Sequence, residues 1–586
     1  MNIKRFVTKS HLMFKKIILD LKRSHLRDLR NGIFLYLKKT PQIVHLRELI
    51  LVTTILAGIV LIMFFQRFST LRTFYQKHTP DYGGTYTEGV VGDIEKINPL
   101  FIKNEAEASA NRLVFSGLTR IIPNNIISLD LAEKWTVQDN GQVYIFKLKR
   151  GLKWSDGWKL TADDIIFTLN LIQNPDTRTN QSVIWQNVSA EKINDQEVKF
   201  TLPNLYSDFL RVASQPILPE HLLKEINPSG IKVAEFNLKP VGSGPYKFIR
   251  FDQAGNETKV ILEANNNFAL KKPYIKRVNL RLYDSFETLY NGLLRKQIDG
   301  IAQIPYNKID DITKLGSMEV SEFYLPRYKV LVLNSRNPLL SQKETRQAIN
   351  QAINRQEIIS QGLNNKAVPI YTSILPGKDG YNPALNKNPY NLSQANELLD
   401  KAGWAKGKRG FREKEGKTLS FRLVVSADSE DKRVGEIIKN QLSKLGIEIK
   451  LVVAEKDLFQ ADYIRPRNFD LILVGQNIGS ETDLFSFWHS SQVNDPGLNL
   501  SGFKDRKVDK LIEAGRRGNS HKLRDDKYKM VQETLAAEVP AVFLYNPIYA
   551  FGINSKVKGI KAGKIDIPTD HLNDVFDWYI NEKTKR

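Results

Sequence analysis

Strands and helices alternate strictly in the stretch between Leu419 and Val474, and this pattern constrains the fold more than any other feature of the chain. The predicted elements are strands at 419–426, 447–453 and 469–474 and helices at 431–445 and 457–463. Strands that alternate with helices form a parallel sheet. Ligands of such α/β sheets bind beyond the carboxyl ends of the strands, so the loop after Val474 is a candidate site.

Residues 131–172 predict a hairpin followed by a capped helix. Asn140-Gly141 tolerates the positive φ of a tight turn between two alternating runs. Thr161, with Asp164 three residues later, predicts a helix N-cap. The apolar positions predicted to be buried are Tyr144, Phe146 and Leu148 of the second strand, and Ile165, Leu169 and Ile172 of the helix.

A run of 17 uncharged residues, Leu49 to Phe65, has the length of a short membrane span. The alternatives are a buried core helix and a cleaved signal peptide. A signal peptide places its apolar core earlier and ends in small residues. Residues 1–48 hold 12 Lys/Arg against 3 acidic residues. The positive-inside rule therefore predicts a single-pass anchor at the cell membrane, with a cytoplasmic N-terminus and an extracytoplasmic C-terminal part.

Charge and composition exclude several classes of protein. The net charge of +22 divides into +12 for residues 1–80 (15 − 3) and +10 for residues 81–586 (71 − 61). The short N-terminal segment carries over half of the excess, which a basic tail beside an anionic membrane leaflet explains, and no nucleic-acid-binding motif is present. The chain has no cysteine, which excludes disulfides, thiolate metal sites and thiol nucleophiles. With 586 residues it is expected to have several lobes.

No motif predicts catalysis, a metal or a cofactor. Zinc-protease and nucleophile-elbow motifs do not occur in the sequence. His489 precedes two serines, but the sequence identifies no third catalytic partner. The glycine-rich segment 241–248 is predicted to be a turn into a strand and not a phosphate loop, because Pro245 follows its second glycine. Phe485 and Trp488 are placed to line a pocket, with core packing as the equal alternative.

Several segments together resemble one protein family. The run LAEKWTVQDNGQVYIFKLKRGLKWSDGWKLTADDIIFTL resembles the signature of the family 5 extracellular solute-binding proteins of ABC importers, the oligopeptide-, dipeptide- and nickel-binding group. Segments in the same order elsewhere are GGTYTEGVVGDIEKINPL, VGSGPYKF, RQAINQAINRQEII, YNLSQANELLDKAGW and NLSGFKDRKVDKLIEA. The resemblance spans about residues 82–560.

This resemblance implies an α/β fold of two lobes, the type II clamshell of periplasmic binding proteins, with an extra subdomain. One N-terminal transmembrane helix precedes it. The expected divisions are a basic cytoplasmic tail at 1–48, the anchor at 49–66, a linker at 67–81, lobe I at 82–125, 235–274 and 481–586, the accessory subdomain at 126–234, and lobe II at 275–480.

The resemblance also implies a ligand site between the lobes. Peptide binders of the family hold the peptide's α-amine with an aspartate in the loop that corresponds to 475–483. Here Gln476 replaces the usual tryptophan and no aspartate precedes Asp483, so Glu481 or Asp483 is expected to substitute. The candidate ligand-binding residues are Gly475, Gln476, Asn477, Glu481, Asp483, Phe485 and Trp488, the cleft-facing Asp93, Ile94 and Asn98 of lobe I, and Asn334 at a strand end.

The expected function is that of the substrate-binding component of an ABC importer. Its partners are a peptide or another small solute and the permease subunits in the membrane, and the protein is expected to be monomeric, without enzymatic activity and without nucleic acid. Two alternatives stay open. One is a sensor that reports ligand occupancy through the N-terminal tail, and the other is a surface peptide hydrolase.

Overall fold

The computed structural model describes residues 50–63, 78–179, 181–182, 184–203, 209–254, 257–385, 387–455, 458–479, 482–517, 521–561 and 563–584. It divides into one unit of residues 1–79 with 583–586 and a second of residues 80–582. The predicted tail at 1–48, the part of the linker at 67–77 and Glu481 lie outside the described residues.

In the first unit, residues 50–63 form helix α1, with most of its apolar side chains exposed. This helix covers most of the predicted anchor at 49–66. Within the described ranges, no helix is both long enough and apolar enough to cross a membrane.

The second unit holds the other helices and most of the strands. The helices are α2 (Glu105–Val114), α3 (Ala162–Gln173), α4 (Phe209–Val212), α5 (Glu220–Leu223), α6 (Phe286–Leu294), α7 (Ile309–Lys314), α8 (Pro338–Ser341), α9 (Lys343–Ala352), α10 (Arg355–Glu357), α11 (Leu392–Lys401), α12 (Ser429–Lys444), α13 (Phe485–Trp488), α14 (Arg506–Arg517) and α15 (His521–Glu538).

The strands of the first part of the chain are β1 (His78–Asp81), β2 (Gly83–Val91), β3 (Thr119–Ile122), β4 (Ile126–Leu129), β5 (Ala132–Gln138), β6 (Val143–Leu148), β7 (Ser189–Asn194), β8 (Glu197–Thr201), β9 (Tyr246–Ala254), β10 (Glu257–Ala264), β11 (Ile275–Tyr283), β12 (Gly300–Ile301) and β13 (Met318–Tyr324). Those that follow are β14 (Arg327–Leu333), β15 (Ala367–Pro369), β16 (Ala405–Lys406), β17 (Arg412–Lys414), β18 (Lys417–Thr418), β19 (Ser420–Ser426), β20 (Glu448–Ala454), β21 (Leu471–Asn477), β22 (Ala541–Asn554) and β23 (Asn581–Thr584).

One 12-stranded sheet organises the second unit, in the order β20-β19-β21-β14-β22-β12-β2-β11-β10-β9, with β13 and β15 also paired to β22. The long strand β22 joins two halves, because its residues 541–545 pair with β14 whereas its residues 548–554 pair with β13. We call these the β14 half and the β2 half. The chain also passes between the halves at Leu325-Pro326, which link β13 to β14.

The predicted strand and helix alternation is confirmed in the β14 half, where β19 pairs in parallel with both β20 and β21. The prediction of a parallel sheet is therefore confirmed for these three strands, whereas β14, which lies beside them, pairs antiparallel with β21 and with β22. The sheet is mixed because the chain reaches β14 directly from the β2 half, through Leu325-Pro326, and not through a helical crossover.

Both faces of the β14 half are covered, as expected for a strand that reads as a continuous apolar run. Leu331 and Leu333 of β14 pack with α9, α11 and α12, whereas Val330 and Val332 on the other face pack with α14 and α15. All four side chains are at most 2% exposed. This core fixes the position of the sheet edge that carries the candidate site.

The hairpin and capped helix predicted at 131–172 are confirmed. Strands β5 and β6 pair antiparallel around the turn at Asp139–Gly141. Thr161 is the N-cap of α3, and its own backbone N–H donates to Asp164 Oδ2 at 2.9 Å. The six apolar side chains predicted to be buried are all at most 6% exposed.

The predicted lobe limits at 275 and 480 differ from the positions at which the chain passes from one half of the sheet to the other. Strands β11 to β13, which lie between residues 275 and 324, pair within the β2 half. Helices α14 and α15, which lie beyond residue 480, pack on the β14 half. The chain passes between the β2 half and the β14 half at residues 325–326 and 546–547.

Candidate ligand-binding site

The site lies on the edge of the β14 half where β21 ends and β14 begins. The register pairs Gly475 with Lys329 and Asn477 with Arg327, and Lys329 is in turn opposite Tyr545 of β22. Both chain crossings to the β2 half leave from this same edge. The carboxyl end of β21 therefore faces the junction between the halves, where a ligand of an α/β sheet is expected.

Two charged contacts line one face of this edge. The ammonium group of Lys329 pairs with Asp431 Oδ1, and Ser426 Oγ donates to the other carboxylate oxygen at 2.7 Å. The hydroxyl of Tyr545 donates to Glu430 Oε1 at 3.0 Å. Burial raises the pKa of Glu430, although Lys329 and the bond from Tyr545 oppose the shift. Both carboxylates come from the first turn of α12, which starts after the carboxyl end of β19.

Gly475 leaves open space beside these groups. It is exposed, and a Cβ atom built on it meets no heavy atom within 4 Å. Its strand partner is Lys329, so the missing side chain opens the space next to the lysine. A glycine here lets another backbone or a ligand approach the strand closely.

Two opposite charges that act on each other electrostatically make no side-chain hydrogen bond or ion pair among the described residues. They are Glu105, at the start of α2, and Arg327, the first residue of β14. Burial raises the pKa of Glu105, and the charges of Arg327 and His571 oppose this shift. The Arg327 Nε atom is buried and has no hydrogen-bond partner in the described part of the chain, and its Cζ atom lies 6.0 Å from the ring centroid of Tyr549.

Two buried amide oxygens at the same junction also have no hydrogen-bond donor among the described residues. They are Oε1 of Gln476 and Oδ1 of Asn546, and both side chains are 5% exposed. The Asn546 amide nitrogen donates to Leu325 O at 3.2 Å, which ties the two chain crossings together. Gln476 is opposite Tyr328, on the face that α14 and α15 cover.

The predicted loop at 475–483 begins later than expected. Gly475, Gln476 and Asn477 all belong to strand β21. Asp483 is held by neighbouring groups, since its Oδ1 atom accepts the Phe485 N–H at 3.0 Å and its Oδ2 atom lies 3.5 Å from Arg516 of α14. Three of the loop candidates thus stand at the strand end, and Asp483 serves the start of α13.

The aromatic candidates Phe485 and Trp488 contribute to packing. Phe485 stacks on His489 with the ring centroids 4.3 Å apart, and the Arg516 guanidinium lies 4.4 Å from its ring. Trp488 is 2% exposed and meets Phe543 edge to face in the core. Trp488 therefore lies in the core, which was the alternative to a position in the lining of a pocket.

The candidates near the end of β2, Asp93, Ile94 and Asn98, have different surroundings. The loop after β2 places Asp93 at the surface, where its carbonyl oxygen accepts the Asn104 amide at 3.0 Å, and Ile94 is buried. Asn98 is 1% exposed, donates to Asn237 Oδ1 at 2.8 Å and accepts the Leu100 N–H at 2.9 Å. Its amide is used within the protein and has little left for a ligand.

Asn334, predicted to face the ligand, lies at the end of β14 away from the junction. Asn334 follows the last residue of β14, whereas Arg327 at the junction is the first. Seven residues of extended chain separate the two ends by roughly 23 Å. The Asn334 amide donates to Phe469 O at 2.7 Å, so it braces the opposite edge of the sheet.

The structure supplies a partner for His489 that the sequence did not reveal. Its Nδ1 atom accepts the Ser491 N–H at 3.1 Å and lies 2.8 Å from Ser491 Oγ, while Nε2 is 3.4 Å from Glu513. The histidine thereby caps the short turn at Ser490–Gln492. In the described ranges, no group of three or more His, Asp or Glu residues is placed to hold a metal ion.

A family model describing bacterial extracellular solute-binding proteins, family 5, matches residues 127–496, more than half of the chain. This chain belongs to that family. The family 5 chain is 28% identical over 513 residues to the oligopeptide-binding protein AppA of Bacillus subtilis (strain 168), covering 86% of this chain and 92% of AppA. It is 24% identical over 507 residues to the dipeptide-binding protein of Escherichia coli (strain K12), covering 81% and 88%.

Two solved structures have the same fold as this family 5 protein. Bacillus subtilis AppA in complex with a nonapeptide superposes with a TM-score of 0.73 at 27% identity, over 86% of this chain and 100% of that one. NikZ of Campylobacter jejuni in complex with Ni(L-His) gives a TM-score of 0.72 at 28% identity, over 84% and 99%. The fold is therefore the mixed α/β fold of periplasmic binding proteins.

Proposed function

We propose that this protein is the substrate-binding component of an ABC importer, and that it captures peptides outside the cytoplasm and delivers them to the permease. The observation that carries the proposal is the junction edge, where Lys329, Glu430 and open space at Gly475 lie beside the start of β14. Family membership supplies the transport role.

Two lobes form the proposed clamshell, with limits set by the sheet halves. Lobe I consists of residues 80–324 and 548–582, including the accessory region at 126–234, and lobe II consists of residues 327–545. The hinge is then made of the two crossings at 325–326 and 546–547. A ligand that contacts both lobes binds the closed form better than the open form, and this difference shifts the population toward closure.

The proposed ligand site is the junction edge. Four of the residues predicted from the sequence belong to this site: Gly475, Gln476, Asn477 and the surface residue Asp93. The charged groups described above complete the site. Peptides are favoured because the edge offers both carboxylates and cations, which complement the ammonium, carbonyl and carboxylate groups of a peptide. The relatives bind an oligopeptide and a dipeptide, and NikZ binds a nickel chelate.

We further propose that residues 49–66 anchor the protein in the cell membrane with the N-terminus in the cytoplasm. The support is the uncharged run of 17 residues and the exposed apolar side chains of α1. Deleting residues 50–63 should release the protein from the membrane fraction into the soluble fraction. Retention of the deleted protein in washed membranes would contradict the anchor.

Mass spectrometry of co-purifying molecules tests the function. The full chain is purified without denaturation, then unfolded, and the released small molecules are identified. A mixture of peptides is expected, and a stoichiometric metal chelate or another non-peptide solute would contradict the proposal. The variant His489→Ala tests the alternative of a peptide hydrolase. It should co-purify with the same peptides as the native protein, and neither the variant nor the native protein should cleave them.

A further inference from the structure

A cavity away from the junction lies where helix α2, the accessory region and the segment 567–576 meet. Its volume is about 300 Å³, at the lower end of the range of small-molecule pockets, which is about 300–1,000 Å³. The residues that line it lie in 99–130, 181–216, 245–268 and 567–576, and no described residue of β14, β21, β22 or α12 is among them. The cavity is therefore separate from the proposed peptide site.

Aromatic side chains form one part of the lining. Trp185 and Phe576 are buried, and the Phe576 ring packs against Phe268 with the centroids 5.4 Å apart. The Cζ atom of Arg120 lies 4.8 Å from the centroid of Phe576. Rings of this kind pack well against the faces of another flat ring. The lining residues that are apolar and exposed, and so mark the entrance, are Ile102, Ile184 and Ile567.

Five buried polar atoms of the lining side chains have no hydrogen-bond partner in the described part of the chain. Three are acceptors and two are donors: Asn111 Oδ1, Asp130 Oδ1 and Gln181 Oε1, and Arg120 Nε and Gln215 Nε2. A buried polar atom without a partner is unfavourable, so such atoms are rare in folded proteins. Their concentration around one cavity favours a bound molecule that supplies both donors and acceptors.

The orientation of two of these amides is fixed by bonds within the protein. The Asn111 nitrogen donates to Glu107 O at 2.7 Å, and the Gln181 nitrogen donates to Pro99 O at 2.8 Å. Each nitrogen is thus already used, and each amide oxygen is left as an acceptor. These two oxygens complement N–H donors of a ligand.

The charges around the cavity are largely balanced within the protein. The three lining arginines pair with aspartates near the C-terminus: Arg112 with Asp570 at 3.4 Å, Arg120 with Asp574 at 3.2 Å and Arg211 with Asp566 at 3.7 Å. Burial raises the pKa of Asp130 to about 6, although the charge of Arg120 opposes this shift. A charged ligand would lose its hydration here without an unpaired counter-ion to replace it, so a neutral ligand is favoured.

We propose that this cavity binds a small neutral planar ring with hydrogen-bond donors and acceptors on its edge, the chemistry of a nucleobase. The faces of the ring pack against the aromatic side chains, and its edge meets the amide oxygens, the Asp130 carboxylate and the Arg120 Nε–H group. Bases commonly bind proteins through this combination of stacking and edge contacts. The site gives the accessory region a ligand of its own, and it does not depend on the proposed capture of peptides.

Isothermal titration of the full chain with adenine, hypoxanthine, cytosine and uracil tests the site. At least one of these bases is expected to bind with one-to-one stoichiometry. Glucose and myo-inositol are the comparison compounds, because they carry several hydroxyl groups but no planar ring, and neither should bind.

Three variants locate the binding. Ala108→Phe extends a ring from α2 into the cavity and should abolish binding of the base. Gln215→Met removes one unpartnered donor and should weaken binding about 2- to 10-fold, the effect of one hydrogen bond. Ala536→Phe, at an exposed position of α15, is the matched control and should bind like the native protein. The melting temperature of each variant is compared with that of the native protein.

Several results would overturn the proposal. If none of the four bases binds, the cavity holds only water; if glucose or myo-inositol binds as well as the bases, the planar ring is not what the cavity recognises. Native affinity in a folded Ala108→Phe variant would place the base elsewhere on the protein. Should that variant fail to fold, Gln215→Met decides, since native affinity there would contradict the proposed contacts. Each of these results leaves the peptide-binding function standing.

Discussion

Replacing Gly475 by tryptophan should abolish ligand binding without weakening the fold. The added Cβ atom meets nothing within 4 Å, and the position is exposed. Glycine in a strand is less stable than other residues by roughly 0.5–1 kcal/mol, so the substitution is expected to be neutral or slightly stabilising. The indole would extend into the space beside Lys329 that the ligand is proposed to occupy.

The expected effect on binding is large because an indole covers about 150–250 Å². If the indole occupies that much of the ligand's contact area, the ligand loses roughly 4–6 kcal/mol of binding free energy, at about 25 cal/mol per Å². That loss corresponds to about a 1,000-fold weaker dissociation constant or more. Isothermal titration with a peptide recovered from the native protein measures the constant, and scanning calorimetry measures the melting temperature.

The matched control is Lys450→Trp, which places the same side chain at an exposed position of the edge strand β20. It should bind peptide like the native protein. Native affinity in the Gly475→Trp variant, with an unchanged melting temperature, would refute the location of the site.

Three further outcomes are expected. Lys329→Met leaves the carboxylate of Asp431, which is 5% exposed, without its cation and should lower stability by about 3 kcal/mol. Burial lowers the pKa of His571, but its contacts with Glu88 outweigh this, so the pKa is raised above its ordinary value of 6.5. The pair therefore stabilises the fold fully below about pH 6.5, and the melting temperature should fall as the pH rises through the raised pKa. Thr161→Ala removes the N-cap of α3 and should cost about 1 kcal/mol in chemical denaturation.

Each of these outcomes has its own control. Lys439→Met removes the exposed partner of Glu436 and should change stability little, so an equal loss in both lysine variants would contradict the buried pair. His571→Gln should flatten the pH dependence, and an unaltered slope would show that another group causes it. Thr161→Ser keeps the capping oxygen and should behave like the native protein.

Local patterns in the sequence predicted the elements whose causes are local. The hairpin and helix at 131–172 depend on turn residues, alternation and a cap, all within a few residues of one another. Asp164 completes the capping box despite its short side chain, because Thr161 and the first turn bring the two groups within 2.9 Å. The continuous apolar run of β14 is likewise a local pattern, typical of a strand that is buried on both faces.

Pairings between distant segments could not be predicted in the same way. The register of β21 with β14 extends the strand through Gln476 and Asn477, and nothing in the local sequence shows that partner. The antiparallel direction of β14 puts Asn334 at the far edge and Arg327 at the junction. An apolar strand pattern is the same read in either direction, so it does not indicate which end faces a ligand.

The charged residues of the candidate site come from segments far apart in the chain. Glu105 opens α2 and Glu430 opens α12, and each follows an ordinary helix-start pattern with acidic residues in the first turn. In sequence such residues indicate a helix N-terminus and nothing more. Their place in the proposed site depends on the edge at which β22 and Leu325-Pro326 cross, and the sequence does not show that edge.

Distance measurements between the proposed lobes test the central claim most directly. Because the chain has no cysteine, Lys276→Cys on β11 and Lys432→Cys on α12 supply two unique, exposed labelling sites. Spin labels at these positions report the distance between the two halves of the sheet. Adding a peptide recovered from the native protein is expected to shorten and narrow the distance distribution. A distribution that stays unchanged while the peptide binds would contradict a ligand held between two closing lobes.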